Sequence, residues 1–339
     1  MRDLILHIGM NKTGSTAVQA ALARARAGPD WAFVAPVIPN ASNVVRLAFH
    51  PNGPSEAWRM HPGARSPEQA VAAIDRALAA CDAPRGVMSG EGLFRLGKPS
   101  IRALVGRARS HADHVQAVAY VRPPAAFMVS SFQQRMKTRH IPLQDLHRAP
   151  MLTFDRAGAG WEDILGAENV TFRPYDRRHL PGGSVVADLA YLCGLGPLRS
   201  ARDNNPGLSG EAMRLLVQYR RQVPAWQPAD APILTALRDL HGPRFAVAPP
   251  LLAPAQAAAH RMRDWALDRM GWDMAEPPGD PAARPVARDG DFDDILPETV
   301  DWLAARTGRA VAQLRGDMDA IAVAVASLGQ VRSPVTVRA

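Results

Sequence analysis

A short polar loop near the start of the chain has the residue types that bind phosphate. It reads GMNKTGST over residues 9–16, and it stands between an apolar run and a segment with a helical pattern. Backbone N–H groups at the start of a helix lack partners within the helix, and the helix dipole adds positive potential there. This composition therefore predicts a strand, an anion-binding loop and a helix, in that order.

The position of the lysine distinguishes this loop from the phosphate loop of ATPases and nucleotide kinases. Their pattern is G-x-x-x-x-G-K-[ST], and Gly9, Gly14 and Thr16 satisfy it. Ser15 stands where that pattern requires lysine, and Lys12 lies inside the loop instead. In those enzymes the lysine reaches the outer phosphates of the nucleotide. The displaced lysine favours a donor with a single phosphate and a transferable group beyond it.

A second pair of residues with phosphate-binding chemistry follows a later apolar run. Arg122 comes directly after residues 114–121, and Ser130 stands eight positions further on. An arginine at a strand end can donate two parallel hydrogen bonds to a phosphate. Ser130 would lie about two turns into a helix that begins near Pro123, and Ser131 replaces it if the register shifts by one. Considered alone, Ser130 has an alternative, purely structural role, in which its hydroxyl bonds to the backbone of its own helix.

Together the two motifs resemble those of the sulfotransferases that use 3′-phosphoadenosine 5′-phosphosulfate. In that family the loop reads approximately P-K-[ST]-G-[ST]-[ST] after a strand, and this chain has Asn11 in place of the usual proline. The resemblance covers roughly residues 3 to 220 and includes weaker likenesses at VTFRPYDRRHL and NNPGLSGEAMRLL, the latter as in bacterial members. It implies that the donor's 5′-phosphosulfate is bound by Lys12, Thr13, Gly14, Ser15 and Thr16, and its 3′-phosphate by Arg122 and Ser130.

The resemblance also implies how the reaction proceeds. Sulfuryl transfer needs a base for the proton of the acceptor and a cation near the leaving phosphate, and no metal is expected. Glu91, in VMSGEGLF, is the predicted base, and Lys12 is predicted to stabilise the leaving phosphate. Glu91 could instead cap a helix or join an ion pair. Histidine alternatives for the base stay open at His50, His61, His111 and His140.

The elements that must position these residues form an alternating pattern. Apolar runs at residues 4–8, 86–89, 114–121 and 169–173 alternate with helical patterns at 15–26, 67–81, 99–109, 123–139 and 185–193. This alternation predicts an α/β fold, a P-loop-like doubly wound and mainly parallel sheet flanked by helices. Loops at the carboxyl edge of such a sheet bind ligands. The three loops that carry the predicted site all follow strands.

The rest of the chain reads as one irregular segment and a helical extension. Residues 28–66 are rich in Pro, Asn, Gly and His and are predicted to be irregular, as in a lid over the substrate. Helical patterns follow at 209–221, 254–270 and 297–328. The Pro-rich stretch EPPGDPAARP suggests a boundary, with an α/β domain over residues 1–275 and a linker and C-terminal helical appendage over 276–339.

Composition narrows the classes of partner. The chain has 339 residues, a formal net charge of +8 and a sequence pI of about 10.2, so its surface should attract phosphates, sulfates or acidic glycans. The alternative explanation of this positive charge is the composition of the genome, because a genome biased toward Arg and Ala gives ordinary surfaces the same excess of arginine. Runs of Lys and Arg with interleaved aromatics are absent from the sequence, so a nucleic-acid partner is not expected. The two cysteines, Cys81 and Cys193, suggest neither a zinc site nor disulfides.

These observations lead to one predicted function and two alternatives. The sequence predicts a cytoplasmic enzyme without a membrane span that transfers a sulfuryl group from the nucleotide donor to a hydroxyl or amine of a carbohydrate or small molecule. The first alternative is a non-catalytic relative that binds a nucleotide or a glycan. The second is a P-loop nucleotide kinase with a degenerate loop. The acceptor's identity and the oligomeric state stay open.

Overall fold

The computed structural model describes residues 1–50, 64–148, 153–199 and 207–330. Contacts between residues divide the chain into two units, each built from separate stretches. The first unit is made of Met1–Pro123, Met151–Asn204 and Ala258–Ala275. The second unit is made of Pro124–Pro150, Asn205–Ala257 and Glu276–Ala339. The predicted division into residues 1–275 and 276–339 stays a prediction.

A five-stranded sheet forms the centre of the first unit. Its strands are β1 Asp3–His7, β2 Trp31–Phe33, β3 Arg85–Ser89, β4 His114–Val121 and β5 Val170–Pro174. They lie in the order β2-β3-β1-β4-β5, and every neighbouring pair is parallel. The predicted α/β fold with a parallel sheet is confirmed, and one strand more than the sequence predicted is present.

Helices connect the strands and make up most of the remaining structure. Among the described residues the α-helices are, in chain order, α1 Ser15–Ala25, α2 Ser42–Phe49, α3 Pro67–Ala79, α4 Lys98–Arg109, α5 Pro124–Met136, α6 Phe154–Leu165, α7 Val185–Leu192, α8 Gly210–Gln222, α9 Asp230–Leu237, α10 Ala253–Met270, α11 Pro297–Thr307, α12 Val311–Leu314 and α13 Met318–Ser327. Within this part of the chain, no helix has both the length and the apolar character needed to cross a membrane.

The order of the strands places a topological switch point between β1 and β4. From β1 the chain moves to β2 and β3 on one side, whereas from β4 it moves to β5 on the other. His7, the last residue of β1, pairs with Ser89 at the end of β3 and with Val118 in β4. The loops after β1 and β3 therefore leave the sheet side by side. A point where the connections diverge is the usual ligand site of a parallel sheet.

Apolar packing holds the helices against this sheet. On one face, α1 and α7 cover a buried cluster that includes Val18 and Leu22 of α1, Leu189 of α7, and Ile5 and Tyr120 of the sheet. Burial of one large apolar side chain contributes roughly 1.5–3 kcal/mol. Because α1 begins directly after the glycine loop, this packing also fixes the direction in which the start of α1 faces.

The second unit has its own core around α8. Every residue of α8 from Ala212 to Arg220 is buried. Beside it, Phe245 stacks on Phe132 at 5.9 Å and on Phe292 at 6.1 Å between ring centroids. Since Phe292 lies beyond residue 275 and Phe132 lies in α5, the C-terminal helices share a core with the middle of the chain.

Two predictions about secondary structure were wrong. The segment 28–66 contains β2 and α2 in its described part, because a three-residue edge strand and an eight-residue helix are too short to give a clear periodicity. The pattern at 297–328 forms three helices and not one. Gly308 ends α11 with a φ of +69°, and Asp317 caps α13 by accepting a bond from the N–H of Ala320. The sequence pattern also missed α6 and α9.

Candidate active site

Gly9 makes the turn that brings the loop after β1 against the loop after β3. Its φ is +68°, a left-handed conformation that favours glycine. A Cβ at this position would lie 2.5 Å from Cα of Glu91 and 3.1 Å from Oγ of Ser15. Only a residue without a side chain lets the two loops approach this closely. Gly9 thus places Glu91 beside the start of α1.

The interior of the loop is held by the side chain of Thr13. This residue is fully buried, and its hydroxyl donates to the carbonyl of Met10 at 2.5 Å. The Met10 N–H in turn donates to the Thr13 hydroxyl oxygen, with 3.4 Å between nitrogen and oxygen. The Thr13 hydroxyl is therefore engaged in hydrogen bonds within the loop. Any contact of Thr13 with an anion would have to come from its backbone.

The start of α1 supplies backbone donors next to the loop. Gly14, with a φ of +80°, precedes the helix, and its carbonyl accepts from the N–H groups of Ala17 and Val18. The N–H groups of Ser15 and Thr16 belong to the first turn, whose donors the helix itself does not use. The side chain of Ser15 is buried and that of Thr16 is exposed.

Lys12 lies between charges of opposite sign. It is half-buried and adopts a φ of +69°, which is uncommon for a residue other than glycine. Burial lowers the pKa of its ammonium, the Glu91 carboxylate raises that pKa, and the Arg122 guanidinium lowers it. The three side chains are thus close enough to interact electrostatically. The loop lysine, the strand-end arginine and the glutamate form one charged group.

Arg122 is the direct link between the two sequence motifs. Its Nη1 donates to the carbonyl oxygen of Lys12 at 2.9 Å. Its guanidinium carbon lies 5.7 Å from the ring centroid of Tyr175, whose N–H donates to the carbonyl of Val121. A Cβ on Gly14 would lie 3.3 Å from the Tyr175 hydroxyl oxygen. Tyr175 therefore belongs to the site, although sequence reasoning did not select it.

The turn that carries Glu91 is fixed on both sides. The N–H of Gly90 donates to the carbonyl of His7 at 2.9 Å, which ties the turn to β1. The N–H of Gly92 donates to the Ser42 hydroxyl at 2.8 Å, and Nη2 of Arg46 donates to the Gly92 carbonyl at 3.2 Å. Both partners come from α2, in the segment predicted to be irregular. These bonds hold the backbone of Glu91 in one conformation.

Arg46 is a second positive charge that interacts with Glu91, in addition to Lys12. Burial and the nearby Arg95 lower the pKa of Arg46, whereas the Glu91 carboxylate raises it. Sequence reasoning missed Arg46 because α2 was not predicted. Glu91 is consequently a single carboxylate flanked by Lys12 and Arg46.

His7 serves a different purpose from the histidines considered as bases. It is fully buried at the end of β1, and its Nδ1 lies 2.8 Å from the Ser89 hydroxyl oxygen. Burial lowers the pKa of this imidazole to about 4. A neutral ring at ordinary pH therefore joins the ends of β1 and β3.

The alternative bases lie at several places. His50 follows α2, and His111 precedes β4, at the edge of the sheet opposite to Glu91. His140 belongs to the second unit, where burial and Arg221 lower its pKa. His61 and the Asn204-Asn205 pair of the NNPG segment lie outside the described residues.

Ser130 and Ser131 are the predicted site residues that the first unit does not contain. Both are half-buried on α5, which belongs to the second unit. Their part in binding the donor stays a prediction. In the described part of the chain, no group of three or more His, Cys, Asp or Glu side chains is placed to hold a metal ion.

Comparison with known proteins found four similar solved chains, of which two are described here. No family model and no curated protein matches the chain. One similar structure is a sulfotransferase from Alicyclobacillus acidocaldarius, with 12% identity, a TM-score of 0.42 and coverage of 77% of this chain and 96% of that one. The other is the sulfotransferase domain of the Synechococcus PCC 7002 olefin synthase, with 12% identity, a TM-score of 0.29 and coverage of 76% and 94%.

Proposed function

We propose that this chain is a sulfotransferase that moves a sulfuryl group from 3′-phosphoadenosine 5′-phosphosulfate to a hydroxyl or amine of a carbohydrate or small-molecule acceptor. One observation carries the proposal: the 2.9 Å hydrogen bond from Arg122 to the backbone of Lys12. It joins the two stretches assigned to the two ends of the same nucleotide. The enzyme is proposed to act in the cytoplasm, as the sequence predicts.

The loop after β1 would hold the donor's 5′-phosphate. Backbone N–H groups of Ser15 and Thr16 and the dipole of α1 attract an anion at this position. Lys12 adds the positive charge nearest to the bond that breaks. Its partly buried ammonium interacts more strongly with a phosphate than an exposed one does, because less water screens it.

Arg122 and Ser130 would hold the donor's 3′-phosphate. Arg122 leaves β4 with one donor nitrogen already engaged by the Lys12 carbonyl, which orients the planar guanidinium. The neighbouring ring of Tyr175 supports this orientation through a cation–π contact. Ser130 would add a hydroxyl from α5.

The proposed reaction uses one base and one cation. The acceptor oxygen or nitrogen forms a bond to sulfur while the bond from sulfur to the bridging phosphate oxygen breaks. Glu91 takes the acceptor's proton, and Lys12 stabilises the charge that develops on the bridging oxygen. The hydrogen bonds that Gly90 and Gly92 make with His7, Ser42 and Arg46 hold the backbone of the turn that carries Glu91. His50 and His140 are the alternatives for the base.

Calorimetry with the reaction's nucleotide product tests the class of the enzyme. We expect 3′,5′-adenosine bisphosphate to bind and ATP with Mg²⁺ not to bind. Arg122→Ala should weaken binding of the bisphosphate at least about tenfold, since a charge-assisted pair is lost. Arg102→Ala, which removes an exposed arginine of α4, is the matched control. Binding of ATP with Mg²⁺ in place of the bisphosphate would favour the kinase alternative.

A further inference from the structure

A groove of about 450 Å³ lies within the second unit, apart from the residues assigned to sulfuryl transfer. Its lining residues are Gln134, Lys137, Thr138, Trp226, Leu234 and Arg238. The volume lies within the range of small-molecule sites. Two of these six side chains are cations, one is an amide and one is a hydroxyl, and none is a carboxylate.

Trp226 gives the groove a flat aromatic wall. Its side chain is 46% exposed, although tryptophan is usually well buried. The faces of an indole ring carry negative charge density, so they attract C–H groups and cations. An exposed indole beside two cations and an amide suits a ligand with an apolar face and an anionic group.

A buried arginine holds the walls of the groove together. Arg220 is fully buried, and its guanidinium donates to four backbone carbonyls and one carboxylate. The acceptors are the carbonyls of Met136, Lys137, Val223 and Ala225 and the carboxylate of Asp230. Arg220 therefore connects the end of α5, the loop that carries Trp226 and the start of α9.

The carboxylate partner of this arginine is satisfied as well. Asp230 accepts from Nη2 of Arg220 at 2.6 Å, from the Tyr219 hydroxyl at 2.6 Å and from the N–H of Gln227 at 2.9 Å. A buried ion pair is costly unless its remaining polar atoms are bonded, and such a network then favours one conformation. The network therefore fixes the backbone of the three segments that form the groove, so less backbone order has to be gained on binding.

We propose that this groove binds an acidic saccharide. The apolar face of a pyranose ring packs on the indole of Trp226, and its hydroxyls bond to Gln134 and donate to the hydroxyl oxygen of Thr138, whose own proton is donated to the Arg135 carbonyl at 2.9 Å. A carboxylate or sulfate on the same or the next ring lies near the half-buried Arg238, and Lys137, which is only 7% exposed, adds positive potential from behind the surface. The net charge of +8 adds long-range attraction for such a chain. This inference does not rest on the proposed transfer, because binding requires neither donor nor base.

Titration of the full-length protein with defined oligosaccharides tests the proposal. The acidic probe is a hyaluronan hexasaccharide, which alternates uronate and N-acetylhexosamine rings, and the neutral probe is chitohexaose. We expect saturable calorimetric binding of the acidic probe that is at least about tenfold tighter than that of the neutral one. Binding should weaken as salt increases, since charges contribute to it.

Two variants locate the binding site. Trp226→Ala should weaken binding of the hyaluronan hexasaccharide at least about tenfold, and Arg238→Gln should reduce its salt dependence. Tyr191→Ala is the matched control, because Tyr191 is an aromatic residue with 81% exposure in the first unit. Thermal unfolding checks that each variant folds. Absence of saturable binding, or binding that Trp226→Ala leaves unchanged, overturns the proposal. Binding of AMP that depends on Trp226, without binding of the hexasaccharide, also overturns it.

Discussion

Lys12 concentrates the chemistry of the site in one side chain. Its ammonium interacts with a carboxylate and a guanidinium, and its carbonyl accepts a hydrogen bond from that guanidinium. Lys12 has a left-handed backbone conformation, and its carbonyl oxygen accepts the bond from Arg122. Its side chain takes no part in that bond and belongs to the loop after β1. A single residue thus couples the two proposed phosphate sites.

Replacement of Lys12 by alanine should remove sulfuryl transfer and keep the fold. Loss of a charge that stabilises the transition state lowers kcat by roughly 10²–10³. Labelled donor with an acceptor panel measures the rate, and thermal unfolding measures stability. The control is Lys98→Ala, since Lys98 is an exposed lysine paired with Asp163 in the first unit. Near-normal turnover by Lys12→Ala would contradict the assignment.

Glu91→Gln should separate catalysis from donor binding. An amide keeps the size of the side chain but cannot accept the acceptor's proton, so we expect transfer to fall by roughly 10²–10⁴. Affinity for 3′,5′-adenosine bisphosphate should persist in calorimetry. Glu68→Gln, at an exposed glutamate of α3, serves as the control. Loss of bisphosphate binding would mean that Glu91 has a structural role.

Protonation of His7 should reduce stability at acidic pH. Folding lowers the pKa of this imidazole from 6.5 to about 4, so the unfolded chain binds the proton more readily between these values. The contribution to the free energy of unfolding is therefore present above pH 6.5 and is lost as the pH falls toward 4, by about 3 kcal/mol.

Urea unfolding of wild type and His7→Gln across this pH range measures that contribution. The variant should lack this part of the pH dependence, whereas His114→Gln, at an exposed histidine, should keep it. An identical slope of unfolding free energy against pH in wild type and His7→Gln would rule out the effect.

At the scale of elements, the contact between the loops after β1 and β3 depends on Gly9. Gly9→Ala adds a left-handed alanine, at a cost of roughly 1–2 kcal/mol, and also a Cβ 2.5 Å from the Glu91 backbone. Gly308→Ala is the control, because its φ of +69° is similar and nothing lies within 4 Å of the added Cβ. We expect Gly9→Ala to lose more unfolding free energy than Gly308→Ala and also to lose transfer. Equal losses of stability would show that the loops adjust freely.

Strands with long apolar runs were predictable at this scale, and short elements were not. β4 has eight residues and matches its predicted bounds, because its apolar run has clear limits. The helix start at Ser66 was also predictable from its local chemistry, since the Ser66 hydroxyl accepts from the N–H of Gln69 and proline follows. β2 has only three residues, and its place at the sheet edge depends on pairing with β3, which local sequence does not encode.

The same reasoning applies to the candidate site. Lys12, Glu91 and Arg122 were selected because each stands in a loop after a strand, and parallel strands bring such loops to one edge. Arg46 and Tyr175 were missed. Arg46 reaches Gly92 from a helix that the sequence pattern did not reveal, and Tyr175 reaches Gly14 only through tertiary packing. The sequence signal that could have identified Tyr175 was its position directly after β5.

At the scale of the whole molecule, the predicted boundary after residue 275 can be tested by truncation. In the second unit α8 packs with α13, and the Phe245 ring stacks on Phe292. Removal of residues 276–339 would expose these apolar faces. A fragment of residues 1–275 keeps all of the first unit, so we expect it to lose the native near-ultraviolet circular dichroism and the cooperative urea transition of the second unit alone. A fragment that keeps both of these signals of the second unit would support the predicted boundary.

The division of the first unit among three stretches has a consequence for its synthesis on the ribosome. Four of its five strands lie before Pro123, β5 follows at Val170–Pro174, and the last stretch, Ala258–Ala275, follows much later. At 5–20 residues per second, the chain from Pro123 to Ala275 takes on the order of ten seconds to emerge. Until β5 has emerged, β4 has no β5 beside it, so its edge is open. The edge of β4 is therefore expected to be protected by chaperones until β5 has left the exit tunnel, and the unit is complete only when residue 275 has followed.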